Sequence, residues 1–138
     1  MIHRAAGPEL QQACRALGGC ATGEAKITQG YQLPARYVIH TVGPIWRGGQ
    51  NDEAKLLANC YVNVLTVALQ NDLKTIAFPA LSCGAYGYPW QEAVEIAVST
   101  TAAFVEKYPD ITTIYFVVYN ASLYEIYERC IENCNSIK

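Results

Sequence analysis

The residues with the clearest chemical potential lie in the stretch FPALSCGAYGYP, positions 78–89. An apolar run ends there and is followed by small residues, among them Ser82, Gly84 and Gly87. Such residues let successive backbone N–H groups point toward one position, and a helix that begins near Pro89 adds the positive end of its dipole. The stretch therefore predicts a cradle for an anion such as a phosphate or diphosphate.

The same stretch also fits a tight strand-to-helix connection whose glycines serve geometry alone, and spacing does not separate the two interpretations. No G-x-G-x-x-G opens a helix and no G-K-[ST] is present, so neither nucleotide-binding fingerprint decides the question. If the anion interpretation holds, backbone donors bind the anion, because the chain has a net charge of −2 and no run of basic residues.

Three further residues are candidates for chemistry, each with a competing structural role. Tyr119 ends the last predicted strand and could stack on a ribose or a base, although a core tyrosine is the commoner explanation. His3 titrates near neutral pH and could orient or polarise a substrate, although a lone histidine on a short turn is more often structural. A nucleophilic Cys83 is disfavoured because no base lies near it in the sequence and His40 falls within a predicted strand.

Composition excludes several classes of function. The 138 residues, 51% of them hydrophobic, suit a single domain over 1–138 with its own core. The absence of a basic run disfavours nucleic-acid binding, and no apolar run approaches the roughly 18 residues of a membrane span. No signal pattern begins the chain, which predicts a cytoplasmic location. The six cysteines include no C-x-x-C pair, so we expect reduced thiols and neither a metal nor a cofactor.

Hydrophobic periodicity predicts alternating helices and strands. The predicted helices cover 8–17, 51–70, 89–108 and 122–134, and the predicted strands cover 24–28, 36–42, 73–81 and 111–119. This order predicts an α/β fold with a mixed, mostly parallel sheet and helices on both faces.

Five segments in this order and spacing resemble the macrodomain family, in its MacroD-type branch of bacterial O-acetyl-ADP-ribose deacetylases. The segments are IHRAAGPEL (2–10), GCATGEAKIT (19–28), LPARYVIHTVGPIWRGG (33–49), IAFPALSCGAYGYP (76–89) and IYFVVY (114–119). The resemblance implies a three-layer α/β/α fold, an ADP-ribose pocket, and hydrolysis of an ester or glycosidic link at the distal ribose.

The resemblance also assigns site residues. It places the active-site histidine at His3 and the aromatic residue beside the distal ribose at Tyr119. The family pattern usually has Thr where this chain has Cys83, a change that keeps the backbone donors and removes one hydroxyl. The implied ligand-binding residues are Ser82, Cys83, Gly84, Ala85, Tyr86, Gly87 and Tyr119.

The chain departs from the family pattern at its amino end. The two first strands of the family, its Asn-containing motif and its proposed catalytic Asp have no counterpart, which predicts an N-terminally truncated domain. Because the family's second strand is central, its absence predicts two half-sheets with unpaired edges. Truncation is the favoured explanation. The alternatives are a strand supplied by a partner or second copy, with self-association through the open edge, and direct pairing of the two neighbouring strands.

The sequence therefore predicts an ADP-ribose-binding hydrolase that acts on O-acetyl-ADP-ribose or on ADP-ribosylated proteins, with impaired catalysis by this chain. The alternative function is a non-catalytic ADP-ribose reader or an assembly module.

Overall fold

The computed structural model describes residues 8–16 and 18–137, which form four helices and four strands. In chain order these are α1 (Pro8–Ala16), β1 (Ala25–Gln29), β2 (Tyr37–Thr41), α2 (Glu53–Gln70), β3 (Thr75–Pro79), α3 (Trp90–Lys107), β4 (Thr113–Val117) and α4 (Ala121–Ile137). Every predicted element is present within this range, with ends displaced by up to three residues, and the α/β class is confirmed.

The strands form two separate pairs. β1 and β2 are antiparallel, with Ile27 opposite Ile39, whereas β3 and β4 are parallel, with Phe78 opposite Phe116. In the described part of the chain β2 and β3 share no ladder, so the alternative of direct pairing between these neighbours is wrong. A cleft of about 430 Å³ instead lies between the beginnings of the two strands, beside Tyr37 and Thr75.

Helix α2 forms the centre of the hydrophobic core. The helical spacing of Leu57, Tyr61, Val64 and Ala68 predicts one apolar stripe along this helix. All four residues are buried, so this prediction is confirmed. The helix packs on β1 and β2, and the ring of Tyr61 lies 5.0 Å from that of Phe78 in β3. It therefore contacts both strand pairs, which no backbone ladder joins in the described residues.

Helices α3 and α4 complete the core on the same side. Val94, Ala97 and Thr101 of α3 are buried, and the Thr101 hydroxyl donates to the Ala97 carbonyl at 2.7 Å, so burial leaves this polar group satisfied. In α4, the Tyr127 ring stacks on Phe116 with centroids 5.0 Å apart. These contacts cover the face of β3 and β4 that carries Phe78 and Phe116.

Helix α1 lies on the opposite face of the antiparallel pair. Alternate residues of a strand point to opposite faces, so Ile39 of β2, which packs against the core, and His40 point to different faces. The His40 ring contacts Cys14 of α1, with the sulfur 3.6 Å from Nε2 and 3.7 Å from Nδ1. β1 and β2 are thus covered by α2 on one face and by α1 on the other, as the three-layer arrangement requires.

One detail of helix capping differs from the sequence-based expectation. Asp52 precedes α2 and suits an N-cap by type, yet its side chain makes no capping hydrogen bond and its φ is 60°, in the left-handed region. The first turn is instead organised by the Glu53 carboxylate, described below. Among the described helices, none is long and apolar enough to cross a membrane.

A substitution in α2 tests the central position of this helix. Leu65 has no solvent exposure, so Leu65→Ala should lower the free energy of unfolding by about 2–5 kcal/mol through lost burial and a new cavity. Val62 on the same helix is 38% exposed and provides the control, with Val62→Ala expected within about 0.5 kcal/mol of the parent. Urea unfolding followed by circular dichroism measures both, and equal effects would contradict this account of the core.

Candidate anion-binding site

Three chain segments meet at one edge of the strands. β3 and β4 are parallel, so the loop 80–89 and Tyr119, which follow them, lie at the same edge. The loop 43–52 follows β2 and reaches that edge too, because Gly43 lies directly against Ser82. This edge is where open α/β sheets place their ligands.

The loop 80–89 exposes unused backbone donors. Its internal hydrogen bonds run from the amide of Gly87 to the Gly84 carbonyl at 3.0 Å and from that of Tyr88 to the Ser82 carbonyl at 2.9 Å. In the described part of the chain, the amides of four residues in this loop donate to no protein acceptor: Ser82, Gly84, Ala85 and Tyr86. Residues 84–87 are solvent-exposed, so the arrangement can accept an anion from solution.

Small residues give this loop its shape in two different ways. Gly87 has a φ of 72°, which favours glycine, whereas a Cβ added at Gly84 would meet nothing within 4 Å. Gly84 therefore keeps the space in front of the amides open. The turn into the loop is made by Ser82, whose φ of 64° lies in the left-handed region that a residue with a side chain seldom adopts.

The loop 43–52 supports the cradle from the side. The Ser82 hydroxyl donates to the Pro44 carbonyl at 2.8 Å, and the Trp46 amide donates to the Tyr86 carbonyl at 2.8 Å. The rings of Trp46 and Tyr88 pack with centroids 4.7 Å apart. A side chain at Gly43 would collide with the Ser82 hydroxyl, so a glycine is required there for the two loops to approach.

Glu53 organises the supporting loop from inside. Its buried carboxylate accepts backbone N–H groups from Arg47 at 2.8 Å, Gly49 at 2.9 Å and Asn51 at 2.6 Å. The Arg47 N–H, followed by those of Gly49 and Asn51, lowers the pKa of Glu53 to about 2 against the opposing effect of burial. Sequence reasoning missed this residue. The available signal was an acidic residue in the first helical turn, four residues after Gly49.

Cys83 has the environment of a packing residue. It is buried, and burial raises the pKa of its thiol to about 11, so the sulfur is protonated at neutral pH. Its carbonyl accepts the indole N–H of Trp90 at 3.0 Å, which ties the cradle to the first turn of α3. These properties do not suit a thiolate nucleophile.

The remaining sequence-based candidates differ in placement. Tyr119 is 86% exposed beyond β4, and Tyr86 is 39% exposed beside a cleft of about 270 Å³ that Gly43 and Arg47 also line. An exposed ring at this edge is free to stack on a flat group. His3 lies outside the described residues. His40 lies in β2, where its Nε2 is 2.9 Å from the Thr28 hydroxyl oxygen.

The described residues contain no group of three or more His, Cys, Asp or Glu side chains that could hold a metal ion. All six cysteines are free thiols.

An α/β fold with a loop of unused amides at the carboxyl edge of its strands is typical of phosphate-binding domains. Comparison with known proteins identifies the family. The Macro domain model matches residues 1–97, and the chain belongs to this family.

Two relatives and one solved structure illustrate the similarity. An O-acetyl-ADP-ribose deacetylase of Citrobacter rodentium is 52% identical over 132 residues, which cover 93% of this chain and 75% of that protein. The ADP-ribose glycohydrolase MACROD2 of Xenopus laevis is 52% identical over 130 residues, which cover 93% of this chain and 31% of that protein. The structure of the Oceanobacillus iheyensis macrodomain with ADP superposes with a TM-score of 0.94 at 40% identity, covering 99% of this chain and 75% of that one.

The pKa of Glu53 predicts a specific acid sensitivity. Its ordinary pKa of 4.5 is lowered to about 2 in the folded protein, so its stabilising effect is complete above pH 4.5 and is lost as the pH falls toward 2. Glu53→Gln should therefore be less stable than the parent at neutral pH, and the difference should shrink across that window. Urea unfolding at a series of pH values measures it, and a constant difference down to pH 2 would contradict the assignment.

Proposed function

We propose that this chain, acting as a single macro domain, binds ADP-ribose with its diphosphate on the loop 80–89. The observation that carries the proposal is the set of four amides that have no protein acceptor in the described residues, at Ser82 and at the exposed residues Gly84, Ala85 and Tyr86. Backbone donors can bind a diphosphate without basic side chains, in agreement with the net charge of −2. The ligand-binding set is Ser82, Cys83, Gly84, Ala85, Tyr86, Gly87 and Tyr119.

The two exposed tyrosines suit the rest of such a ligand. Tyr86 lies within the cradle and Tyr119 follows β4 at the same edge, so each ring can contact a ribose or base on either side of a bound diphosphate. Cys83 would contribute its backbone and its packing rather than its thiol. The relatives named above act on ADP-ribose compounds, which supports this ligand over other diphosphates.

The proposed reaction is hydrolysis at the distal ribose, either of the acetyl ester of O-acetyl-ADP-ribose or of the bond that joins ADP-ribose to a protein. A water molecule held between the bound diphosphate and protein groups attacks the scissile carbon, so positioning and charge stabilisation drive the step. We assign His3 to the distal ribose as an orienting group.

Binding is tested by thermal unfolding with and without ADP-ribose. Ligand at about 100 times its dissociation constant adds roughly 2.7 kcal/mol, which should raise the melting temperature by about 5–10 °C. Gly84→Glu places a carboxylate in the open space before the amides and should abolish the shift while leaving the protein folded. Ser99→Glu adds the same charge on the exposed face of α3 and should keep the full shift. A shift that survives Gly84→Glu would exclude this site.

Turnover separates the hydrolase from the alternative of a non-catalytic reader. We expect deacetylation of O-acetyl-ADP-ribose, measured by chromatography of the products, to fall in His3→Ala and to disappear in Gly84→Glu. Binding without any turnover above the uncatalysed rate would establish the reader instead.

The separate strand pairs give a specific reason to test assembly as well. In the described residues, β2 and β3 face a cleft with unpaired edges, and such edges are templates for pairing with another chain. Sedimentation velocity over a range of concentrations detects self-association through this edge. A monomer at all concentrations would remove the assembly function.

A further inference from the structure

We propose that Glu53 is a positioning residue for the anion cradle. Its carboxylate sets the shape of the loop 43–52, and that loop orients Ser82 and Tyr86. The effect on ligand binding rests on the proposed function, whereas the effect on the two loops does not. Only 1% of Glu53 is accessible to solvent, and its carboxylate is held by the amides of the supporting loop.

The supporting loop 43–52 has an unusual backbone shape. Gly48 and Gly49 have φ values of 98° and 86°, and Asp52 has a φ of 60°, which is unfavourable for a residue with a side chain. A chain with three left-handed residues in five positions needs specific contacts to hold it. The Glu53 carboxylate supplies them, since it binds the amides of Arg47, Gly49 and Asn51 and so spans the whole turn.

That turn is connected to the cradle through Trp46. Trp46 directly precedes Arg47, and its amide donates to the Tyr86 carbonyl at 2.8 Å. The Trp46 ring fits against Gly49, where an added Cβ would approach the ring to 2.8 Å, and it also packs on the Tyr88 ring. Displacing the turn therefore moves Trp46, and moving Trp46 releases Tyr86, whose amide is one of the four anion donors.

The carboxylate also occupies three donors of the supporting loop. The amides of Arg47, Gly49 and Asn51 bind Glu53 and are therefore not available to an anion from solution.

The principal variant is Glu53→Gln, which keeps the size and removes the charge. We expect the dissociation constant of ADP-ribose, measured by calorimetry well below the melting temperature, to rise about tenfold or more. The constant for ADP should rise by the same factor, because the effect passes through the diphosphate donors. Leu65→Ala provides the control. It lowers stability from the core and should leave both constants within about twofold. Equal weakening in the two variants would show a general stability effect and overturn the proposal.

A second readout needs no ligand. The two tryptophans of the chain, Trp46 and Trp90, both contact the cradle loop, so their fluorescence and the near-ultraviolet circular dichroism report on this junction. Glu53→Gln should change both spectra, whereas Leu65→Ala should not. If the parent protein binds no ADP-ribose, the proposed function fails while these spectra still decide the role of Glu53. Unchanged spectra in Glu53→Gln would overturn that role.

Chemical rescue identifies the carboxylate as the active group. Glu53→Ala leaves three amides around a small cavity, and added acetate should restore the parent spectra and, in a protein that binds ADP-ribose, its affinity. Acetamide has nearly the same size without the charge and should not restore them. If Glu53→Ala does not fold, the same addition is made to Glu53→Gly and to the refolding reaction. Restoration by both compounds, or by neither, would contradict the proposal.

Discussion

The packing of α2 across both strand pairs is the constraint on which the rest of the structure depends. In the described residues, β1–β2 and β3–β4 have no ladder between them, so side-chain packing and loop contacts must fix their relative placement. On one side of the helix the Tyr61 ring packs on Phe78 of β3. Cys60, one residue earlier, donates its thiol proton to the Val42 carbonyl, just beyond β2, at 3.3 Å. One helix face therefore sets the distance between the two loops that form the candidate site.

The site itself is an arrangement of main-chain groups that short side chains make possible. Gly43 permits the approach of the two loops, Ser82 makes the turn and holds Pro44, and Gly84 leaves the donors uncovered. Binding by backbone donors would let a chain of net charge −2 bind an anion without basic side chains. In such a site, specificity depends on loop geometry, because a displaced backbone amide cannot recover its contact by changing a side-chain rotamer.

Much of the fold could be predicted from local pattern. The stripe of Leu57, Tyr61, Val64 and Ala68 repeats at helical spacing, and burial of that face follows from it. The loop 80–89 was predicted as an anion cradle from its small residues and from the helix after it, and its four unused amides agree with that interpretation. The expectation that the Asp52 side chain caps α2 was wrong. Residue type alone cannot show which of two adjacent carboxylates turns toward the loop. Asp52 adopts a left-handed conformation, and Glu53 takes the backbone donors instead.

The sequence by itself determined the order of helices and strands, the buried faces and the family resemblance, and it predicted the position of the candidate anion site, because each depends on residues close together along the chain. Only the tertiary structure decided that β2 and β3 remain unpaired in the described residues, that Gly43 meets Ser82 across 38 intervening residues, and that Glu53 holds the supporting loop. These features depend on distances between groups remote in sequence. Hydrophobic periodicity does not predict these distances, because it indicates which face of an element is buried and not which other element that face contacts.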